Sequence, residues 1–166
     1  MPTIDNLKDA FAGESQANRK YLAFAKQAER DNYPQLAKLF RAVAEAETIH
    51  AHAHLRALGG IKTSAENLQA AIDGEAYEFK TMYPGFLAQA QAEGNKAALY
   101  SFKNALAVEE VHHGLYSRAL AQIKTGKDLS AASVWVCSIC GHTHIGDQPD
   151  ECEVCGAKKE KFFEVK

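Results

Sequence analysis

Residues 44–51 read AEAETIHA, and inside them Glu47 and His50 stand three apart. On an α-helix that spacing puts a carboxylate and an imidazole on one face, where the pair can bind one cation or bridge two. The motif recurs downstream as EEVH, with Glu109 and His112. A shift of 62 carries Glu47 to Glu109, and the same shift carries Phe40, His50, Arg56, Ala57 and Leu58 onto Phe102, His112, Arg118, Ala119 and Leu120. It also takes Tyr21, Phe24, Gln27 and Ala28 onto Tyr83, Phe86, Gln89 and Ala90. One helical hairpin is therefore written twice, which predicts four helices.

The remaining two helices supply further carboxylates. Glu14 lies on the first, and Glu75 and Glu78 lie on the third, inside GEAYE (74–78), each near the middle of an apolar stripe. Like charges three residues apart cost a few tenths of a kcal/mol even on a wet surface. In a low-dielectric core the five glutamates would repel one another and lose hydration, and two divalent cations largely remove that cost. One glutamate from each of two helices and Glu-x-x-His from each of the other two is the donor pattern of a di-iron or di-manganese bundle. Carboxylate and imidazole together suit iron or manganese better than copper or structural zinc.

Gly13-Glu14 aligns with Gly74-Glu75 only at a shift of 61, so the third helix holds one extra residue between its glutamate and Tyr83. Such an insertion predicts a π-bulge or kink, aided by Pro84. At that shift Glu78 falls on Ala17 and has no counterpart, which marks it as an addition to the basic plan. Glu45 and Glu110 fall on other faces. His52 and His113 are expected to be exposed. His54 lies one turn beyond His50 on the same face. Tyr21 and Tyr83, about two turns from Glu14 and Glu75, read either as core aromatics or as hydrogen-bond donors to the carboxylates.

The rest of the chain frames this constellation. Its 166 residues are 46% hydrophobic and 24% charged, with a net charge of −2, a soluble globular composition that offers no pull towards nucleic acid or an anionic membrane. The opening MPTIDNLKDAFAGE has no basic stretch followed by an apolar one, and no run is long enough for a membrane span, so the expected location is the cytoplasm. Breaks in the helical pattern fall at DNYP (31–34), GGIKTS (59–64) and EGN (93–95), with Thr63 and Glu66 spaced as a capping box. The organisation read from these motifs is a helical domain over 1–128, a linker over 129–133 and a small β-rich module over 134–166.

All four cysteines lie in that last module, as CSICG (137–141) and CEVCG (152–156). Two Cys-x-x-Cys-Gly knuckles place Cys137, Cys140, Cys152 and Cys155 as a tetrahedral thiolate site for one iron or zinc. Four thiolates fill a tetrahedron, so His142 and His144 are expected on the surface. The aromatic residues around the knuckles, and the electron demand of a di-iron site, favour iron.

AFAGESQANRKY, AEAETIHA, GEAYEFKTMYP, AVEEVHH and the paired knuckles together resemble rubrerythrin over essentially the whole chain. The resemblance implies an all-α four-helix ferritin-like bundle followed by a rubredoxin-like Fe(Cys)4 domain. It implies a peroxidase that reduces hydrogen peroxide to water in oxidative-stress defence, supplied by NAD(P)H through a separate reductase and often a rubredoxin. By motif match Glu14, Glu47, His50, Glu75, Glu78, Glu109 and His112 hold two irons, Glu47 and Glu109 bridge them, and His50 and Glu78 exchange at one iron between redox states. The family also passes electrons between subunits, which implies a homodimer. The competing readings are a ferroxidase or iron-storage bundle, and a non-enzymatic metal-binding protein with a zinc-ribbon tail.

Chain length adds a constraint on assembly. In a ferritin-like bundle the second and third helices run parallel, and helices of about 25 residues span roughly 37 Å. Leu58 to Ser64 offers about six residues, at most roughly 20 Å extended. The expected solution is a domain-swapped dimer that joins helices one and two of one chain to helices three and four of another.

Overall fold

A computed structural model describes residues 2–166. Helix α1 (Thr3–Arg30) and helix α2 (Pro34–Ala57) form the first hairpin. Helix α3 (Ser64–Tyr77) continues through a π-helical turn, Glu78–Met82, into helix α4 (Tyr83–Ala92), and helix α5 (Lys96–Ile123) packs back along them. Three short strands follow, β1 (Val134–Cys137), β2 (Thr143–Ile145) and β3 (Phe162–Glu164), in an antiparallel sheet of order β2-β1-β3. The chain forms two compact units, one up to Lys62 and the other from Thr63 to Lys166. The second contains the cysteine module, which stays packed on α5, while residues 124–133 pass between them without helix or strand.

The helix ends obey their local sequence. Pro34 opens α2, where the missing amide costs nothing, and Pro84 follows directly on the π turn at the second residue of α4. Thr63 and Glu66 close the expected capping box, the Thr63 hydroxyl accepting from Glu66 N and the Glu66 carboxylate from Thr63 N. Just past the ends of α1 and α4, Asn32 and Gly94 adopt left-handed backbone at φ 62° and 66°, positions related by the 62-residue shift. The π turn occupies the interval where the repeat carries its extra residue, because one residue inserted into a helix is most cheaply absorbed as a single wide turn.

The repeat is equally visible in the packing. Tyr21, Phe24 and Phe40 form an aromatic triad with centroids 5.7–6.3 Å apart. Tyr83, Phe86 and Phe102 form its counterpart at 5.5–6.2 Å. Between the helices of the first unit the buried apolar side chains are all alanines, Ala25, Ala28, Ala37, Ala44 and Ala51, which lets the backbones approach closely, whereas the second unit buries Ala90 together with Val108 and Leu120. One polar residue is buried in the first hairpin: Asn18 donates to the Ala44 carbonyl at 2.7 Å and to Thr48 Oγ1 at 2.8 Å.

That amide fixes the register of α1 on α2 one turn from Glu14 and beside Glu47. Replacing Asn18 by Ala removes two buried hydrogen bonds and leaves a small void, so chemical denaturation of the metal-free protein is expected to register a loss of about 1–3 kcal/mol. A substitution within experimental error of wild type would mean that the alanine packing alone sets the register.

Candidate metal centres

Each unit gathers three of the expected metal ligands. Glu14 from α1 meets Glu47 and His50 from α2, with one donor atom from each within 4.8 Å of the others. Glu75 from α3 meets Glu109 and His112 from α5 within the same limit. The two Glu-x-x-His motifs are superposable in detail, since His50 Nδ1 lies 2.8 Å from Glu47 Oε2 and His112 Nδ1 lies 2.8 Å from Glu109 Oε2. The half-sites differ in cover: the His50 side chain is 56% exposed, that of His112 only 24%.

Electrostatics in the second half-site reflect carboxylates crowded without a counter-charge. Burial, and then the facing Glu109 carboxylate, push Glu75 up to about 7. Glu109 lies below its usual value because the hydrogen bond from His112 outweighs its burial. The same bond raises His112. Glu78, the first residue of the π turn, stands just outside the three-ligand cluster, its pKa raised by burial and by the charge on Glu109. Tyr83 is raised by burial and by Glu109, Glu78 and Glu75, which keeps the phenol protonated beside the carboxylates. Tyr21 packs against Phe24 and Phe40.

Cys137, Cys140, Cys152 and Cys155 converge in the last module. The Cys137–Cys155 and Cys140–Cys152 sulfurs lie 3.7 and 3.6 Å apart. A tetrahedron with arms of about 2.3 Å has edges of roughly 3.8 Å, so the pocket has the dimensions of a four-thiolate metal site. Gly141 and Gly156 adopt φ of 87° and 70° as each knuckle turns back on its first cysteine. Burial raises Cys137, but the N–H groups of Cys140 and Ile139 more than offset it and favour the thiolate. Trp135, Val154 and Phe162 pack around the sulfurs.

Three expectations need correction or addition. His142 is 2% exposed rather than on the surface: its carbonyl accepts from Cys137 N, its Nε2 lies 3.4 Å from Glu153, and its ring fills the space behind the first knuckle. His113 is half-buried rather than exposed, because its ring packs edge-on against Phe79 at 5.4 Å. Asn18 and Thr143 were not singled out by any pattern. Each acts through contacts with a helix far along the chain, Asn18 with Ala44 and Thr48 and Thr143 with His112, and helical periodicity carries no signal for that.

Removing protons and adding metal are linked at Glu75 and His112. Both hold a proton to higher pH in the folded protein than in the unfolded chain, so each contributes stability to the metal-free protein that is lost as pH rises. The metal-free protein is therefore expected to melt at a lower temperature at pH 8 than at pH 6, with cobalt affinity rising over the same window as the protons leave. Calorimetric melting and cobalt titration at both pH values measure the two slopes, and a melting temperature that rises with pH would contradict the assignment.

Comparison with known proteins places these centres in a lineage. The family described as Rubrerythrin matches residues 5–120, and the one described as Rubrerythrin, rubredoxin-like domain matches residues 135–163. Rubrerythrin-2 of Clostridium acetobutylicum is 37% identical over 96% of this chain and 95% of its own length. Nigerythrin of Nitratidesulfovibrio vulgaris is 36% identical over 96% of this chain and 85% of its own. A structure of nigerythrin in its fully reduced, all-ferrous state is similar with a TM-score of 0.60 and 34% identity, covering 99% of this chain and 87% of that one. With a helical bundle, a rubredoxin-like module and donor sets that fit two irons in the helices and one between the cysteines, the chain belongs to the rubrerythrin family.

Proposed function

We propose that this protein is a cytoplasmic non-haem di-iron peroxidase that reduces hydrogen peroxide to water. The observation that carries the reading is the position of Glu78. A two-metal bundle needs only the four glutamates and two histidines of the repeat, and Glu78 is a seventh donor. It is displayed on a π turn beside Glu109 and His112, in the same compact unit as a four-cysteine site. Single π turns within α-helices occur frequently at functional sites, and a donor beyond the basic set gives this one a means of changing coordination.

When bound, the two irons would supply the two electrons that peroxide reduction consumes, and the cysteine-held iron would return electrons singly. The chain's own residues do the rest. Glu47 and Glu109, each hydrogen-bonded to its i+3 histidine, would be the carboxylates shared between the two irons. Tyr83, with its proton retained, would supply a hydrogen-bond donor to the carboxylate cluster, and Tyr21 occupies the equivalent repeat position. Glu78 would hold a proton or a metal, and His50, with its ring mostly exposed and bonded to Glu47, would be the ligand it replaces. A rubredoxin or an NAD(P)H-dependent reductase is the expected donor.

The reduced, iron-loaded protein is expected to be oxidised much faster by hydrogen peroxide than by dioxygen in stopped-flow mixing. Glu78→Ala should keep the fold and most of the bound iron while slowing peroxide turnover at least about ten-fold, or roughly 1.4 kcal/mol of barrier. Faster reaction with dioxygen would point to a ferroxidase, and full turnover in the variant would remove Glu78 from the mechanism.

The functional dimer is proposed to be domain-swapped. Each unit carries one three-ligand half-site, and α2 and α3 are joined only by residues 58–63, too short to climb a bundle. Co-expressing a Glu14→Ala chain with a Glu109→Ala chain separates the arrangements. A swapped heterodimer has one intact site and one doubly damaged site, giving roughly half the wild-type activity per dimer. An unswapped heterodimer has two damaged sites, and an inactive one would exclude swapping.

A further inference from the structure

His112 is held from both sides. Its Nδ1 faces Glu109, and its Nε2 lies 3.0 Å from the Thr143 hydroxyl on β2, 31 residues along the chain. The Thr143 hydroxyl in turn lies 3.3 Å from the Gly141 carbonyl, to which it donates. With its proton committed there, the hydroxyl accepts from Nε2–H of His112, so a metal that replaces the Glu109 contact at Nδ1 would find the imidazole hydrogen held on Nε2 and the Nδ1 lone pair available. The seating is rigid: Thr143 pairs with Val136 in the sheet, and Gly141 packs against the buried Val108 of α5.

We propose that Thr143 is a positioning residue for the two-metal centre: a hydroxyl of the cysteine module that fixes the tautomer and ring orientation of His112 in the same chain. It also joins the two ligand sets by an unbroken run of bonds, from Cys140 through the Gly141 carbonyl and the Thr143 hydroxyl to His112 Nε2. Hydrogen bonds to the far nitrogen of a ligating histidine set its basicity and direction, and their loss costs metal affinity about 10–100-fold. The half-site of α1 and α2 shows the contrast, with His50 lying 56% exposed.

The inference rests on His112 being a metal ligand, as in the proposed function, but its test does not require peroxidase activity. Thr143→Val keeps shape and volume and removes the hydroxyl, whereas Thr143→Ser restores it. Cobalt titration of the full-length metal-free protein is expected to show about ten-fold weaker binding for Thr143→Val and near wild-type binding for Thr143→Ser. In the zinc-loaded protein, nitrogen-15 NMR should show His112 locked as the Nε2–H tautomer in wild type and the Ser variant, and mobile or mixed in the Val variant. The absorption of the iron-loaded cysteine site should stay unchanged in all three, showing that the module still folds. Wild-type affinity and an unaltered tautomer in Thr143→Val would overturn the inference even in an active peroxidase, as would a Ser variant no better than Val or an altered cysteine-site spectrum. A protein with no peroxidase activity but the expected affinity and tautomer changes would retain this inference and lose only the proposed reaction.

Discussion

Carboxylates that face one another in a half-dry space must be neutralised by protons or by cations, and most of this molecule is arranged around that choice. Glu75 shows the first solution, keeping its proton to about pH 7 because Glu109 faces it and water is scarce. Glu109 can remain charged because His112 is bonded to it. Divalent cations offer the second solution and satisfy all three groups at once. The packing is subordinate to this requirement. The helices meet through alanines, which bring the backbones and so the carboxylates close, at the expense of apolar burial. Large side chains such as Leu39, Ile49 and Tyr100 remain 58–65% exposed, a surface suited to the partner that a swapped assembly would provide.

The two hairpins are close copies, and their departures from symmetry carry the specialisation. Aromatic triads, left-handed helix ends and Glu-x-x-His motifs repeat at an interval of 62 residues. The π turn does not repeat, and neither does the buried Asn18, whose counterparts at shifts of 61 and 62 are Phe79 and Lys80. One hairpin is locked by an amide, and the other is widened by a residue that displays Glu78.

Legibility in the sequence follows the range of the interaction. Glu47 with His50, Thr63 with Glu66, and the glycine after each cysteine pair are local, so spacing alone is enough to read them. The π turn is readable because a repeat provides its own reference: comparing shifts of 61 and 62 exposes an insertion that no single helix would reveal. Asn18, Thr143 and the buried His142 depend on partners far along the chain or on the shape of a cavity. Helical periodicity reports which face a residue occupies and not what lies opposite. His142 and His113 were placed outside for this reason. Four cysteines complete a coordination sphere, but that does not empty the space around it, and Phe79 reaches His113 only because the π turn swings it there.

The same asymmetry bears on which histidine can leave a metal. An exchange between a histidine and a carboxylate needs one ring able to swing away and another that cannot, or the centre would fall apart on cycling. His112 is tied at both nitrogens, to Glu109 and to Thr143, and the strand of Thr143 is paired in the sheet of the cysteine module. His50 is tied at Nδ1 to Glu47 and is otherwise largely solvated, so its rotation breaks little. The family resemblance assigns the exchange to His50 and Glu78 from motif position alone. The greater exposure of His50 and the second contact of His112 support that proposal. In the proposed exchange, the module that holds the third metal would secure the ligand that stays, and the hairpin without such a cap would supply the one that moves.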